Sequence, residues 1–209
     1  MKIVPYTSNI NEYLKSDDII DHENVQIKAL AEKLYDRACN ELDFIRSAYE
    51  YVRDNISHSA DINEDIITCS ASEVLAAGHG ICFAKAHLLA AVLRCKGIPA
   101  GLCYQRLILD DEAAPVLIMH GLNGVYLKEY KKWIRIDPRG NKNGVNAQFS
   151  VDREQLAFPV RSEKGEEDCF IVFPETDRRI REKLRNNKTR TELWEDLPTE
   201  LENPSMRGA

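Results

Sequence analysis

The sequence predicts an α+β fold, with helices in the first half of the chain and an antiparallel β-sheet in the second. Three observations carry this. Apolar residues recur at helical spacing from Val25 to Ala38 and again from Leu42 to Ile56. A helix-length apolar run follows from Cys82 and stops at Gly97-Ile98-Pro99. After Pro99 the period shortens, and "AGLCYQRLIL", "PVLIMHGLNGVYL" and "KWIRID" read as strands. Helices that precede the strands, instead of alternating with them, give the α+β pattern.

In the first helix Ile27, Leu30, Ala31, Leu34, Tyr35 and Ala38 make one buried stripe against a charged outer face. Asn40 is placed to cap the second, with Asp43 in its first turn and Leu42, Ile45, Tyr49, Val52 and Ile56 facing inward. "NISHSADINED" reads as a loop. Ser70 and Glu73 have capping-box spacing and Gly78 suits a left-handed stop, so a short helix is expected over 71–77. From Cys82 the line Ala86, Leu89, Ala90, Leu93 marks one face, but Phe83, Leu88, Ala91 and Val92 make the others apolar too. Such a helix belongs in the middle of a fold. Arg94 and Lys96 suit the negative end of its dipole, Gly97 caps it, and Pro99 bars its continuation.

The acidic turn "DDEAAP" separates the first two strands, and "PRGNKNGVNAQ" is turn-rich. "DCFIVF" is a further strand and "ETDRRIREKLRNN" a charged helix that packs through Ile180 and Leu184. Asn123-Gly124 has hairpin-turn composition, but a turn there leaves only Val125 to Leu127 before the next one, so a bulge is expected instead. Residues 190–209 are expected to form a loosely held tail.

A chain of 209 residues with 44% hydrophobic content, no repeat and no long linker is expected to be one domain, 1–209. The net charge is −6 and the 28 Lys and Arg are spread along the chain, which argues against nucleic acid as a partner. The N-terminal stretch lacks the apolar core of a signal peptide, and the longest uninterrupted apolar run, Leu88 to Leu93, is too short to cross a membrane. A cytoplasmic protein with no membrane partner and reduced cysteines is therefore expected.

Cys82 holds the chemical interest. The thiolate is the reactive form of cysteine, and the first turn of a helix favours it because unpaired N–H groups and the dipole present positive potential there. Of the six cysteines only Cys82 is placed this way. Gly78 and Gly80 leave room for a substrate backbone, and the N–H groups around Gly80 and Ile81 are candidates to hold an oxyanion. A nucleophile also needs a base. Among the five histidines, His22 and His87 are expected to be solvated or packed, and His79 lies close to Cys82 but poorly placed for in-line proton transfer. His120 lies in a strand. A two- or four-residue loop around Glu129 and Tyr130 puts Asp137 on the same sheet face as His120, whereas a three-residue loop sends it to the other. Zinc is disfavoured because the chain has no Cys-x-x-Cys pair, and no cofactor or metal is expected.

"GHGICFAKAHLLAAVLRCKGIPA", then His120 in "HGLNGVYL", then "KWIRIDP" with Asp137, resembles the transglutaminase-like superfamily. That family opens a helix with Gly-x-Cys, closes it with Gly-Ile-Pro-Ala, and continues into His-Ala-Trp-Asn-like and Trp-x-x-x-Asp-Pro-like strands. The intervals of 38 and 17 residues between Cys82, His120 and Asp137 fit, and the resemblance covers about residues 40–140. It implies a papain-like core with the cysteine helix packed on the sheet, Cys82 as nucleophile, His120 as base and then acid, and Asp137 as its orienter. Gly121 and Leu122 depart from the Ala and Trp common there, which removes an aromatic wall. His58 stands where relatives often have an aromatic residue and is a candidate cleft residue. The function implied is acyl transfer on amide bonds of peptides or proteins through a thioester, as a peptidase or amidase with water or a transglutaminase with an amine. The alternative is a catalytically weak or inactive peptide-binding module on the same fold.

Overall fold

The computed structural model describes residues 2–109 and 115–202. The chain begins with a two-residue strand, β1 (Val4–Pro5). Asn24 accepts from the Gln26 N–H and opens α1 (Val25–Tyr35), and Asn40 accepts from the Asp43 N–H and opens α2 (Glu41–Asn55). The segment read as a loop carries a short strand, β2 (Ser57–His58). The expected capping box is complete: Ser70 accepts from the Glu73 N–H, Glu73 accepts from the Ser70 N–H, and α3 (Ala71–Ala77) ends at Gly78 with φ +72°. Next, β3 (His79–Gly80) pairs in parallel with β2 and leads directly into α4 (Cys82–Arg94).

Every residue of α4 from Phe83 to Arg94 is buried, as its all-round apolar surface requires. It packs against α1, α2 and α3 on one side and the sheet on the other. Arg94 does more than complement the helix dipole. Its buried guanidinium donates to the carbonyls of Ala100 (2.9 and 2.7 Å), Lys15 (2.6 Å) and Pro174 (2.6 Å), so the end of α4 is tied to the chain that returns as the first long strand.

The strands are β4 (Ala100–Ile108), β5 (Leu117–Leu127), β6 (Lys132–Ile136) and β7 (Glu167–Phe173), followed by α5 (Arg178–Asn186) and α6 (Arg190–Glu195). One sheet has the order β1-β7-β4-β5-β6. Its four long strands are antiparallel, and only the short β1 runs parallel to its neighbour. The turn expected over 110–115 lies, apart from Pro115, outside the described residues.

Two expectations need correction. No bulge interrupts β5 at Asn123-Gly124, where the pairing with β4 runs unbroken. Asn123 instead reaches out of the strand to donate to the carbonyls of Ala86 in α4 (2.9 Å) and Gly101 (3.3 Å). Gly124 is needed because a Cβ there would sit 2.6 Å from the Val172 methyls. Nor are residues 190–202 loose. Thr189 caps α6, Leu193 and Leu201 are buried, and the Pro198 carbonyl accepts from the Met119 N–H at 2.7 Å. The apolar spacing of Leu193, Leu197 and Leu201 was the signal for this docking. Among the described residues no helix is long and apolar enough to cross a membrane.

Candidate active site

Cys82 is the first residue of α4, and the residue before it, Ile81, provides no side-chain cap. The first-turn N–H groups therefore lack a side-chain acceptor. Cys82 is partly exposed whereas the next residue, Phe83, is buried. Cys69, Cys103 and Cys169 are buried, and Cys95 is half-buried and donates to the His22 carbonyl. Burial pushes the Cys69 thiol up to about 12 and that of Cys95 to about 11.

The β5–β6 pairing runs from Leu127↔Lys132 to Asn123↔Ile136, so Lys128 to Lys131 form a four-residue loop. Continued three steps, this register sets His120 across from Arg139 and leaves Asp137 on the His120 face. The side chains meet: His120 Nε2 lies 2.8 Å from Asp137 Oδ2. With Nε2 committed, Nδ1 is the nitrogen left for the hydrogen bond between His120 and Cys82. Asp137 is fully enclosed. Its Oδ1 accepts from the Arg139 N–H (3.0 Å) and its Oδ2 accepts also from the Ala157 N–H (3.1 Å). Burial alone would push this carboxyl up, but the His120 ring and the two backbone donors hold it below the usual carboxylate range. Burial works the other way on His120, and there the charges of Asp137 and Cys82 prevail and raise its pKa. Thiol, imidazole and acceptor-only carboxylate thus form a line along which a proton can be relayed.

Cys82 and His120 open on a cleft of about 500 Å³, with Asp137 behind the imidazole. Ile81 and His58 line it, as does Cys82. Gly80 and His79 do not. A Cβ at Gly80 would meet Thr68 Oγ1 at 3.0 Å and the Ala84 Cβ at 3.1 Å, so its smallness serves packing beneath the helix and not substrate approach. His79 is buried and its Nδ1 shares a 3.0 Å hydrogen bond with Ser59 Oγ. His87 is packed between the Cys69 carbonyl (2.8 Å) and Thr176 Oγ1 (3.0 Å), and His22 pairs with Glu23.

The aromatic wall has moved. Leu122 is not a cleft residue at all but is buried with Tyr13, Cys103 and Val172. Gly121 is required by α4, since a Cβ there would come within 2.5 Å of Phe83 Cδ1. The wall comes instead from Phe158, whose ring stands edge-on to His120 at 5.2 Å, and from Trp194. The sequence reading missed both, together with Arg139, which lines the cleft and pairs with Asp61. Phe158 lies in irregular chain, and Trp194 falls off the Leu193, Leu197, Leu201 spacing of the segment taken for a tail. Among the described residues no group of three or more His, Cys, Asp or Glu is arranged to hold a metal ion.

The family model described as the transglutaminase-like superfamily matches residues 28–138, just over half of the chain, and contains all three relay residues. Among solved structures, a protein from Cytophaga hutchinsonii described as a "putative cysteine protease" is 16% identical with a TM-score of 0.51, over 66% of this chain and 46% of that one. The periplasmic domain of TgpA from Pseudomonas aeruginosa is 18% identical with a TM-score of 0.45, over 60% and 45%. The chain thus spans about half the length of the solved structures it resembles. No curated protein matches it in sequence.

Proposed function

The chain belongs to the transglutaminase-like superfamily, and from that membership and the relay at the head of α4 we propose that it is a cysteine acyl-transfer enzyme acting on amide bonds of peptides or proteins. Cys82 is the nucleophile, His120 the base and then the acid, and Asp137 its orienter. The observation that carries the reading is the His120 Nε2–Asp137 Oδ2 contact at 2.8 Å, with the other ring nitrogen turned to a partly exposed thiol at a helix N-terminus.

His120 Nδ1 takes the thiol proton as Sγ attacks the carbonyl carbon. The same nitrogen returns that proton to the departing amine, which leaves a thioester on Cys82. Asp137 keeps the remaining ring proton on Nε2 and stabilises the imidazolium. Water as the second acceptor makes the protein a peptidase or amidase, and a primary amine makes it a transglutaminase. The mostly apolar cleft walls suit peptide side chains. We infer further that the chain is a single transglutaminase-like domain and that it works in the cytoplasm, where an unpaired nucleophilic thiol stays reduced.

Substitution Cys82→Ala tests the reading. It is expected to abolish both acylation by p-nitrophenyl acetate and release of amine from a fluorogenic peptide-amide library, with the fold retained. Turnover that persists in folded C82A defeats the proposal. Adding a primary amine to the unaltered enzyme then separates transfer from hydrolysis.

A further inference from the structure

Residues 189–202 form a strap beside the cleft, and Trp194 and Leu197 of this strap line it. Both lie between two anchors. At the near end the Thr189 capping box opens α6, and the Arg190 N–H donates to the Asp65 carbonyl at 2.7 Å. The Arg190 guanidinium donates to the Glu64 carbonyl (3.0 Å) and to Asn63 Oδ1 (2.7 Å). At the far end Leu201 is buried and the Glu202 N–H donates to Asp177 Oδ2 at 2.9 Å. Midway, the Pro198 carbonyl accepts from the N–H of Met119, the residue before His120. The β5–β6 pairing stops at Asn123↔Ile136, so the strap meets β5 where β6 no longer reaches.

The residues of the strap divide the work. Leu193 and Leu201 are buried in the core and hold it down, whereas Trp194 and Leu197 are only half-buried and border the cleft. The Arg190 guanidinium stands 5.6 Å from the Trp194 ring centroid and steadies the indole. Phe158, Leu107 and Ile118 continue the same apolar wall. The charged side chains of the lining are engaged with one another, Asp61 with Arg139 and Lys142, and Glu166 with Arg161. A cleft of about 500 Å³ has room for side chains as well as for the reacting amide. The family match ends at residue 138, so Phe158, Trp194 and Leu197 come from chain outside it.

We propose that this wall is a side-chain subsite that selects substrates with a large apolar residue, leucine-like or aromatic, beside the amide bond attacked, and that Trp194 and Leu197 are its specificity-determining residues. The inference rests on the acyl-transfer reading and adds a substrate class to it. A bulky apolar side chain gains by leaving water for the indole and the leucine. A charged one gives up its hydration at a place where the described charges are already paired. The contact is made before attack as well as during it, so it acts on KM more than on kcat.

The test compares the full-length parent with Trp194→Ala and Leu197→Ala on internally quenched peptides that differ at one position at a time, Leu or Phe against Ala, on either side of the amide bond attacked. The parent is expected to favour Leu or Phe over Ala at one position by at least about tenfold in kcat/KM, and each variant to lower that ratio severalfold, mainly through KM. A merely structural loss of alignment slows both peptides alike and leaves the ratio as it was, and a ratio unchanged in both variants overturns the proposal. If neither alanine variant folds, Leu197→Phe decides: a partly filled subsite is expected to turn the preference from Phe toward Leu, and an unchanged order overturns the proposal. A parent that is acylated at Cys82 by p-nitrophenyl acetate but is indifferent to the flanking side chain defeats this inference alone. A parent that is not acylated there defeats the acyl-transfer reading itself, and this inference with it.

Discussion

Replacing Asp137 by Asn is the sharpest perturbation of the relay, because every partner of that carboxylate is a donor: His120 Nε2 at 2.8 Å, the Arg139 N–H at 3.0 Å and the Ala157 N–H at 3.1 Å. An amide has only one acceptor oxygen. If its NH₂ takes the Oδ1 position it faces the Arg139 N–H. If it takes the Oδ2 position it faces the Ala157 N–H and forces His120 to accept at Nε2, which moves the ring proton to Nδ1, opposite Cys82. Either way one buried backbone donor is orphaned, at about 1–3 kcal/mol. In a domain of this size that lowers Tm by roughly 2–12 °C. The second orientation also leaves His120 unable to take the thiol proton, a fault that costs about 10⁴ in rate in comparable relays. The assay is the burst of p-nitrophenolate on acylation, read beside a melting curve. D137N is expected to melt lower and to acylate at least tenfold more slowly, and up to about 10⁴-fold if the flipped tautomer dominates. A lower Tm with full acylation would make Asp137 a structural residue only. No change in either would refute the geometry.

Two further outcomes follow from single contacts. Gly121→Ala sets a methyl 2.5 Å from Phe83 Cδ1 and 3.2 Å from its Cα, so the helix bearing Cys82 must shift. A loss of about 1–3 kcal/mol in urea unfolding is expected, with slower Cys82 alkylation, and an unchanged urea midpoint contradicts it. The pH dependence of stability tests His87, whose burial pushes its pKa down to about 4. The unfolded chain binds a proton below about 6.5 and the folded one does not, so this group's stabilisation is complete above 6.5 and is lost as pH falls toward 4. The full loss is about 3 kcal/mol. His87→Gln is expected to flatten that slope, and a slope identical to the parent's refutes the assignment.

What was legible in the sequence depended on local rules. The capping box at Ser70 and Glu73, the left-handed stop at Gly78 and the Asn40 cap are interactions over three or four residues, and such spacing is visible in a string. The buried α4 was legible because its apolar content leaves no polar face. The union of His120 with Asp137 was legible only as a condition on loop length, since a one-residue change in the loop reverses the face. The missed features join residues distant in sequence. Nothing local announces that Asn123 reaches α4, that Gly121 yields to Phe83, or that Phe158 fills the place expected of residue 122. The tail was misread because its charged composition outweighed three spaced leucines, two of which are buried.

The same long-range contacts explain how the relay stays aligned when its members come from a helix, a strand and the residue just after another strand. Arg139 has two roles: its backbone N–H holds Asp137 Oδ1, and its guanidinium crosses the cleft to Asp61, which Lys142 also engages. Asp61 lies in the segment that follows His58, and that segment is fastened twice more. Lys85 of α4 grips the Ile56 carbonyl just before it, and Arg190 donates its N–H to the Asp65 carbonyl at 2.7 Å just after it. The strand side of the site, through Asp137, and the helix side, through Lys85, thus hold the same short stretch of chain. Contacts outside the relay thus hold both sides of it, the kind of support that in-line proton transfer would demand.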